Sequence, residues 1–423
     1  MKLLIGGSPC THWSIAQTKN RETEASGIGW ELFLNYRIAR DKYKPDFFLY
    51  ENNKSMSPAI RAQITAELGV EPVLINSALV SAQNRQRLYW VGKREPDGTY
   101  SQVAVEQPED RGILLRDILE TGIAWQEKSY CIAATVYKGS NPQQTLSKHR
   151  RTMVAEPVRI GTIENDAKNQ TFDSQPYRVY SPDAKSVTLC GNGGGLGAKT
   201  GLYAVPVCVG AMPNKDGEVG TSQSRRIYST DGKSVSLQAR PNGGGADGAT
   251  TGLYAVPVIP DGKGQFVIKA AGGKEIPVYE VRGGRITIKE KTYPIKLADG
   301  FYIIRKLTVT ECKRLQTVPD TYAFPVSDTQ AYKMLGNGWT VDVIAYIMSH
   351  FTGLTEEPVK VLSMYDGMSC GHIALDKLGA EITAYYATEI DKYAIQTTQH
   401  NYPDTVQLGD AFQVRDNNWG VKE

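Results

Sequence analysis

The sequence predicts an α/β fold in which two blocks of alternating strands and helices flank a β-rich insert. Residues 1–94 and 301–423 alternate short apolar runs with stretches of helical periodicity. Residues 95–300 lose that periodicity and are dominated by Gly, Thr, Ser, Val and Tyr. An internal repeat inside this central stretch favours short stacked hairpins. We therefore expect an α/β core that is split by a β-rich domain at residues 95–300.

The first block alternates strands and helices in an order that favours a mostly parallel sheet. Its apolar runs have the length of buried strands, and its helical stretches place apolar residues three to four positions apart. The predicted elements are strands Lys2–Ile5, Asp46–Tyr50, Val73–Val80 and Arg87–Gly92 and helices Trp30–Tyr43 and Pro58–Leu68.

The insert contains two clear copies of one sequence unit. Residues Arg178–Leu189 match residues Arg226–Leu237, and each copy continues into Asn-Gly-Gly-Gly and closes on Gly-Leu-Tyr-Ala-Val-Pro-Val. A degenerate third copy precedes them at Pro142–Val158. The repeat is either duplicated scaffold or a set of duplicated recognition loops, and the residues alone leave both interpretations open.

The last block contains the pattern of a nucleotide-type site. An apolar strand ends in Asp366-Gly367, and the following strand ends at Glu389, at the spacing where an acidic residue contacts ribose hydroxyls. The turn lacks the full glycine pattern of dinucleotide sites, which favours a ligand without phosphate, although an ordinary strand–helix turn remains possible. The predicted elements are helices Leu307–Leu315, Val341–Phe351, Ser369–Leu378 and Tyr393–His400 and strands Val359–Tyr365, Glu381–Thr388 and Val406–Leu408.

Composition narrows the class of protein without naming it. The chain has 423 residues and no apolar run near the ~18–20 residues of a membrane span. Six scattered cysteines form no Cys-x-x-Cys pair, so we expect reduced thiols, no disulfide framework and no metal site. A formal net charge of +3 neither indicates nor excludes nucleic-acid binding, because a basic face can lie on a near-neutral chain.

A candidate nucleophile follows the first strand. Cys10 lies after Gly6-Gly7-Ser8-Pro9, Glu51 ends the next predicted strand, and Arg85 and Arg87 open the last strand of the block. Such positions share the carboxyl edge of a parallel sheet, and a thiol beside guanidinium groups is a better nucleophile at neutral pH. By position alone, Cys10 could equally be a structural cysteine.

Together these segments resemble the DNA (cytosine-5) methyltransferase family. The resemblance covers both α/β blocks and uses nearly every motif of the family. The motifs are Gly6–Ser14 as the nucleophile loop, Gly29–Phe33 as the helix after it, Glu51-Asn52-Asn53, Gln83–Arg87, Arg305–Gln316, Leu335–Val341 and the cofactor motif Val361–Gly367, with Glu389 and Asp410 at the next two cofactor positions.

The order of these motifs is unusual for the family. Members normally begin with the cofactor motif and end with the Gly-Asn motif, which here is Gly336-Asn337. In this chain the nucleophile loop comes first and the cofactor half comes last. The resemblance therefore implies a circularly permuted, Rossmann-like methyltransferase sheet with residues 95–300 inserted as a target-recognition domain.

The resemblance also implies a mechanism. The Cys10 thiolate would attack C6 of a cytosine, Glu51 would contact N3 and the exocyclic amine, and C5 would take a methyl group from S-adenosylmethionine. Arg85 would brace the base or a phosphate, and Arg87 would do likewise or pair with a carboxylate. The implied cofactor residues are Tyr365, Asp366, Gly367, Met368, Ser369, Cys370, Glu389, Ile390 and Asp410, with Asn337 and Trp339 enclosing the cofactor.

The implied substrate is double-stranded DNA, from which the target base must be flipped. The Gly-rich loops of the insert permit close approach to DNA, and the basic cluster at residues 148–151 suits phosphate contacts, although it could also be a solvated turn. The candidate DNA-binding residues are Ser14, Lys148, Arg150, Arg151, Asn192, Arg240 and Asn242.

The resulting hypothesis is a site-specific DNA cytosine-5 methyltransferase of a restriction–modification system or a phage. We expect it to be a monomer in the cytoplasm of a bacterial or phage-infected cell, with no membrane association. One alternative is an RNA cytosine-5 methyltransferase, which the large insert disfavours. The other is a catalytically silent DNA-binding regulator, which the intact Cys10, Glu51 and Arg85 disfavour.

Overall fold

The computed structural model divides the chain into two compact units. The first unit comprises Met1–Glu120, Gln126–Thr152 and Lys306–Glu423, and the second comprises Thr121–Trp125 and Met153–Arg305. The residues that the structure describes are 1–9, 12–13, 21–138, 142–148, 151–157, 161–165, 170–171, 178–180, 202–203, 208–211, 226–228, 253–255, 259–260, 266–269, 275–288 and 290–422.

An eight-stranded mixed sheet forms the centre of the first unit. Its strands are β1 (Lys2–Gly6), β2 (Phe47–Asn53), β3 (Pro72–Asn76), β4 (Gln86–Arg94), β5 (Tyr100–Gln102), β6 (Val359–Met364), β7 (Ile382–Thr388) and β8 (Val406–Gly409). The spatial order is β8-β7-β6-β1-β2-β4-β3, and β5 extends the sheet beside β4. The sequence predictions for β1, β2, β4, β6, β7 and β8 are thus confirmed within a few residues.

The sheet is parallel from β8 to β2, whereas β4 is antiparallel to both β2 and β3. The antiparallel pair follows from chain length, because residues 77–85 are too few for the crossover that a parallel connection requires. The predicted strand Val73–Val80 also ends early, at Asn76. There the Asn76 side chain accepts a hydrogen bond from the backbone N–H of Ala78 and starts a short turn.

Helices cover both faces of this sheet. Three of them start at side-chain caps, since Ser57, Thr308 and Asp391 each accept a hydrogen bond from a backbone N–H of the first turn. The helices are α1 (Gly27–Tyr43), α2 (Pro58–Leu68), α3 (Leu115–Ile118), α4 (Pro142–Lys148), α5 (Val309–Leu315), α6 (Asp328–Asn337), α7 (Val341–Met348), α8 (Cys370–Leu378) and α9 (Lys392–Asn401). No described helix is long and apolar enough to cross a membrane.

The core consists of side chains that alternate along the central strands. Leu4, Phe48 and Tyr50 point into one cluster, where they meet Phe33 and Tyr36 of α1. Every residue of β2 is buried, as expected for a strand covered on both faces. The central strands are therefore rigid supports for whatever follows their carboxyl ends.

The topology reverses between β6 and β1. From β6 the chain moves outward through β7 to β8, and from β1 it moves in the opposite direction through β2 towards β4. In open α/β sheets, ligands bind beyond the carboxyl ends of the strands at such a point. The fold therefore places the candidate site beside Gly6 and Met364, which pair across β1 and β6.

Residues 95–120 and 126–152 belong to the first unit, whereas the sequence assigns them to the insert. They are attached through β5, which pairs with β4, and through Lys128, whose Nζ donates to the carbonyls of Ala78, Ser81 and Ile113. The predicted third repeat copy also differs, because Pro142–Lys148 forms the helix α4 rather than part of a hairpin.

The described part of the second unit is built from strands. Glu275–Arg282 and Arg285–Ile288 form a tight hairpin in which Gly283 and Gly284 both have positive φ, as a two-residue turn requires. Its further strands are Met153–Pro157, Gly161–Asn165, Gln170–Thr171, Arg178–Tyr180, Leu202–Tyr203, Cys208–Ala211, Arg226–Tyr228, Leu253–Ala255, Ile259–Pro260, Phe266–Lys269, Lys291–Pro294 and Gly300–Lys306. The two Gly-rich repeat loops lie outside the described residues.

The contact between α8 and β1 yields a stability prediction. A Cβ added at Gly371 would lie 2.1 Å from Cδ1 of Ile5, which is fully buried. We expect Gly371→Ala to destabilise the chain by about 1–3 kcal/mol through overpacking, and Ile5→Val by about 0.5–1.5 kcal/mol. Because valine lacks Cδ1, the double variant should lose clearly less than the sum. Urea unfolding of the four proteins measures this coupling, and strict additivity would contradict the contact.

Candidate active site

A cavity of about 380 Å³ opens at the carboxyl edge of the sheet, where the topology reverses. It lies wholly in the first unit. Its walls are the loops that follow β1, β6, β7 and β8, together with the last part of β2, the start of β4 and the end of α6. These loops come from both ends of the chain, and the parallel pairing of β1 with β6 brings them together.

The loop after β6 has an unusual backbone. Tyr365, Gly367 and Ser369 all have φ near +60°, a backbone conformation that residues other than glycine rarely adopt. Tyr365 is held by its hydroxyl, which donates to the Leu32 carbonyl at 2.6 Å, and by its N–H, which donates to Thr388 Oγ1 at 3.0 Å. Such strain is kept only where the surroundings hold the chain, and these two hydrogen bonds hold Tyr365.

Glu389 closes the same end of the cavity. Its Oε2 accepts the N–H of Gly367 at 2.8 Å, and its Oε1 accepts the N–H groups of Ile390 and Asp391 at 2.8 Å each. One carboxylate thus fixes the loops after β6 and β7 to each other. A carboxylate has about four acceptor positions, so one remains for a ligand hydroxyl.

Asp366 lies between these loops and has a perturbed pKa. Burial raises the pKa of its carboxyl group, while hydrogen bonds from neighbouring hydroxyl groups act in the opposite direction. The Tyr385 hydroxyl donates to its Oδ1 at 2.8 Å, and the Ser369 hydroxyl donates to its Oδ2. Ser369 therefore contacts Asp366 through its hydroxyl group but does not itself line the cavity, although the resemblance implies a direct contact with the cofactor.

The outer wall combines an apolar surface with acidic groups. The Ile390 side chain lines the cavity although it is 74% exposed. Asp410 follows β8 and accepts the N–H of Phe412 at 3.0 Å. Lys333 also lines the cavity, but it pairs with Asp391 at 2.7 Å. This wall therefore offers a ligand carboxylate groups and an apolar contact, whereas the charge of Lys333 is balanced by Asp391.

The loop after β1 is held by a small buried network. Ser8 Oγ and the Tyr50 hydroxyl are 2.6 Å apart, and Asn52 Nδ2 donates to that hydroxyl at 3.1 Å and to the Ser8 carbonyl at 3.2 Å. Pro9 lines the cavity. The predicted nucleophile Cys10, next in the chain, lies outside the described residues.

Glu51 is held at the cavity wall by two donors. Arg87 Nε lies 3.0 Å from its Oε1, and the indole N–H of Trp339 donates to its Oε2 at 3.0 Å. Glu51 and Arg87 are diagonal neighbours on β2 and β4, because Glu51 pairs in register with Tyr89. The carboxylate therefore reaches the cavity in a fixed orientation.

Arg85 has a different environment from the one that the resemblance implies. Its Nη1 donates to the carbonyls of Ile132 and Gly336 at 3.3 Å, and its Nη2 donates to the carbonyl of Gly338 at 2.8 Å. The side chain is buried although it lines the cavity. In this structure Arg85 therefore holds the end of α6 in place through hydrogen bonds to its carbonyl groups.

Cys131, which the sequence did not single out, contacts two arginines of the cavity wall. Its sulfur accepts from Arg85 Nη1 at 3.3 Å and from Arg87 Nη2 at 3.9 Å. Desolvation acts to raise the pKa of this thiol, but the two guanidinium groups outweigh it, so the pKa is lowered from its usual value. No local pattern marks Cys131, because its partners lie more than forty positions away in the chain.

The structure brings most of the predicted site residues together. The residues that line the cavity are Glu51, Arg85, Arg87, Asn337, Trp339, Tyr365, Asp366, Gly367, Met368, Cys370, Glu389, Ile390 and Asp410. Of the predicted DNA contacts, Lys148 is exposed at the end of α4 and Arg151 is half-buried with positive φ. Ser14, Arg150, Asn192, Arg240 and Asn242 lie outside the described residues.

Comparison with known proteins yields consistent matches. The family described as C-5 cytosine-specific DNA methylase matches residues 1–352. The orphan methyltransferase M.SPRI of Bacillus phage SPR is 24% identical over 386 residues, which cover 82% of this chain and 81% of that protein. The orphan methyltransferase M.Rho11sI of Bacillus phage rho11s is 25% identical over 255 residues, which cover half of each protein.

Two further matches are shorter or weaker. The type II methyltransferase M.HhaI of Haemophilus parahaemolyticus is 36% identical over 84 residues, which cover 19% of this chain and 26% of that protein. A solved structure of the Entamoeba histolytica methyltransferase EhMeth aligns with a TM-score of 0.32 at 12% identity, over 82% of this chain and 77% of that chain. A score this low does not establish a common fold.

The environment of Cys131 yields a reactivity prediction. Because Arg87 stabilises the thiolate, Arg87→Gln should move the alkylation of Cys131 to higher pH and slow it severalfold at neutral pH. Iodoacetamide labelling over about pH 6 to 10, read from the Cys131 peptide by mass spectrometry, measures this. Arg61→Gln, on the exposed side of α2, is the matched control. Equal labelling profiles for Arg87→Gln and the unchanged protein would disprove the role of Arg87.

Proposed function

This chain belongs to the C-5 cytosine-specific DNA methylase family, and on that premise we propose that it methylates C5 of cytosine in double-stranded DNA with S-adenosylmethionine as donor. The observation that carries the proposal is the cavity in which Glu51, the Gln-x-Arg-x-Arg arginines and the loop after β6 converge. The alignment with a phage methyltransferase over 82% of this chain and 81% of that protein supports the same activity.

The residues of the cavity fit S-adenosylmethionine. This cofactor carries a positive sulfonium and ammonium and no phosphate, and it supplies the methyl group when it is bound. Asp366, Glu389 and Asp410 provide carboxylates for such a ligand, whereas the cations Lys333 and Arg87 are paired with protein carboxylates. The remaining acceptor position of Glu389 suits a ribose hydroxyl, and the exposed face of Ile390 suits an adenine ring.

The chain's own residues would carry the covalent steps. Cys10, which follows the Ser8–Pro9 loop, would attack C6 of the flipped cytosine through its thiolate and so make C5 nucleophilic. Glu51, near the end of β2, would accept a hydrogen bond from the exocyclic amine of the base and contact N3. After methyl transfer, a base, for which water is sufficient, would remove the C5 proton, and the Cys10 thiolate would leave C6.

The two arginines would have different tasks. Arg87 pairs with Glu51 and can hold that carboxylate towards the base. Arg85 donates to Gly336 and Gly338 and can keep the end of α6 against the cofactor cavity. The task that the resemblance implies for Arg85, bracing the base or a phosphate, would then fall mainly to other groups.

We also propose that the catalytic fold is circularly permuted. The strands β6, β7 and β8 come last in the chain, yet β6 pairs with β1 in the middle of the sheet. The family match ends at residue 352, before the first of these strands. Both facts fit a chain in which the cofactor half follows the nucleophile half.

Target recognition would fall to the repeat-bearing insert, mainly the second unit. A flipped base leaves a gap in the duplex that protein side chains must fill, and the neighbouring bases must be read. Loops outside the catalytic sheet would perform both tasks. Lys148 and Arg151 are the described candidates for phosphate contacts. The family match and the phage and bacterial methyltransferase relatives favour DNA methylation over the RNA-modifying or catalytically silent alternatives. We propose a monomer that protects a genome in the cytoplasm of a bacterial or phage-infected cell.

A covalent trap tests the activity. With S-adenosylmethionine and duplex DNA containing 5-fluorocytosine, the chain should form an adduct that survives denaturation, because fluorine cannot leave C5 as the proton does. Cys10→Ala should form none, and Glu51→Gln should form it at least ~100-fold more slowly. Cys312→Ala, which removes a fully buried thiol, is the control. No adduct on any mixed-sequence duplex would refute the proposal, and an adduct on RNA alone would favour the RNA alternative.

A further inference from the structure

Trp339 stands between the two halves of the cavity. Its indole lines the cavity that the loops Tyr365–Cys370 and Glu389–Asp391 enclose, and its N–H donates to Glu51 Oε2 at 3.0 Å. The ring therefore lies beside the loops proposed to bind the cofactor, whereas its N–H contacts Glu51, which is proposed to bind the target base. The resemblance alone assigns this residue only to the enclosure of the cofactor.

A buried polar network holds the backbone on both sides of Trp339. Gln316 Nε2 donates to the carbonyls of Leu335 and Gly338 at 2.7 and 3.0 Å, and its Oε1 accepts the Thr340 hydroxyl at 2.8 Å. Gln316 is fully buried, and Thr340 is 1% exposed. Arg85 also donates to Gly338. A residue between two such anchors has little freedom, so its indole is oriented before any ligand binds.

Glu51 depends on this orientation. Arg87 holds Oε1 and Trp339 holds Oε2, and the residue as a whole is only 9% exposed. With one donor on each oxygen, the carboxylate cannot turn without losing a hydrogen bond. Each carboxylate oxygen can accept more than one hydrogen bond, and Glu51 lines the cavity, so the carboxylate can still accept a hydrogen bond from a bound base.

We propose that Trp339 is a positioning residue for Glu51, which couples the cofactor side of the cavity to the side that receives the cytosine. The inference rests on the proposed function and adds to it a task for the indole N–H. The hydrogen bond from the indole N–H sets the angle of the carboxylate, and the aromatic ring forms part of the cavity wall that would hold the cofactor. Loss of the N–H alone should therefore slow the chemistry and leave cofactor binding largely intact.

The variant Trp339→Phe separates these two tasks, because phenylalanine keeps an aromatic ring and lacks the N–H. We expect the rate of adduct formation on 5-fluorocytosine duplex at saturating S-adenosylmethionine to fall about 10- to 100-fold. The dissociation constant of S-adenosylmethionine, measured by calorimetry, should change by less than about 3-fold. A loss that appears only in cofactor affinity would overturn the inference.

Trp90→Phe is the matched control. Its indole N–H donates to Thr65 Oγ1 at 3.0 Å in the core, and it does not touch Glu51. Urea unfolding of both variants shows whether a lower rate reflects lower stability, and an equal slowing by Trp90→Phe would overturn the inference. In a Glu51→Gln background, Trp339→Phe should cause little further slowing, whereas a full additional loss would show that the indole acts elsewhere.

The two proposals fail in different ways. If the unchanged protein forms no adduct with any duplex, the proposed activity is wrong. If the unchanged protein forms the adduct and Trp339→Phe forms it equally fast, the activity stands and only the positioning task of Trp339 is wrong.

Discussion

The parallel pairing of β1 with β6 is the constraint on which the rest of the site depends. It joins Gly6 to Met364, two residues from opposite ends of the chain. It also creates the point where the strand order reverses, so the loops from both ends open into one cavity. Buried apolar side chains on both faces of these strands make this pairing cooperative with the core.

The site is kept in shape by buried hydrogen bonds to backbone carbonyls and amides. Glu389 binds the amides of the loops after β6 and β7, and Arg85 and Gln316 bind the carbonyls at the end of α6. Groups buried with partners of this kind are costly to rearrange, because each would lose its hydrogen bond without gaining water. The cavity is thus built before a ligand arrives.

The predictable part of the site lies close to the strand ends. Asp366-Gly367 and Glu389 follow apolar strands within a few residues, and Glu51 lies near the end of β2, so a pattern of strand and turn was enough to place them at one edge. What the sequence could not show is which donor meets which acceptor. Trp339 reaches Glu51 across 288 positions and Arg85 reaches Gly338 across 253.

By itself, the sequence determined the α/β class, most strand and helix positions, the family and many of the residues that line the cavity, because apolar periodicity and short motifs are local features. Only the tertiary structure decided that β4 is antiparallel, that residues 95–120 and 126–152 pack with the first unit, and that Arg85, Cys131 and Trp339 support the site. These outcomes depend on contacts between distant segments. Such contacts form only when the folded sheet brings the segments together, and no local pattern encodes them.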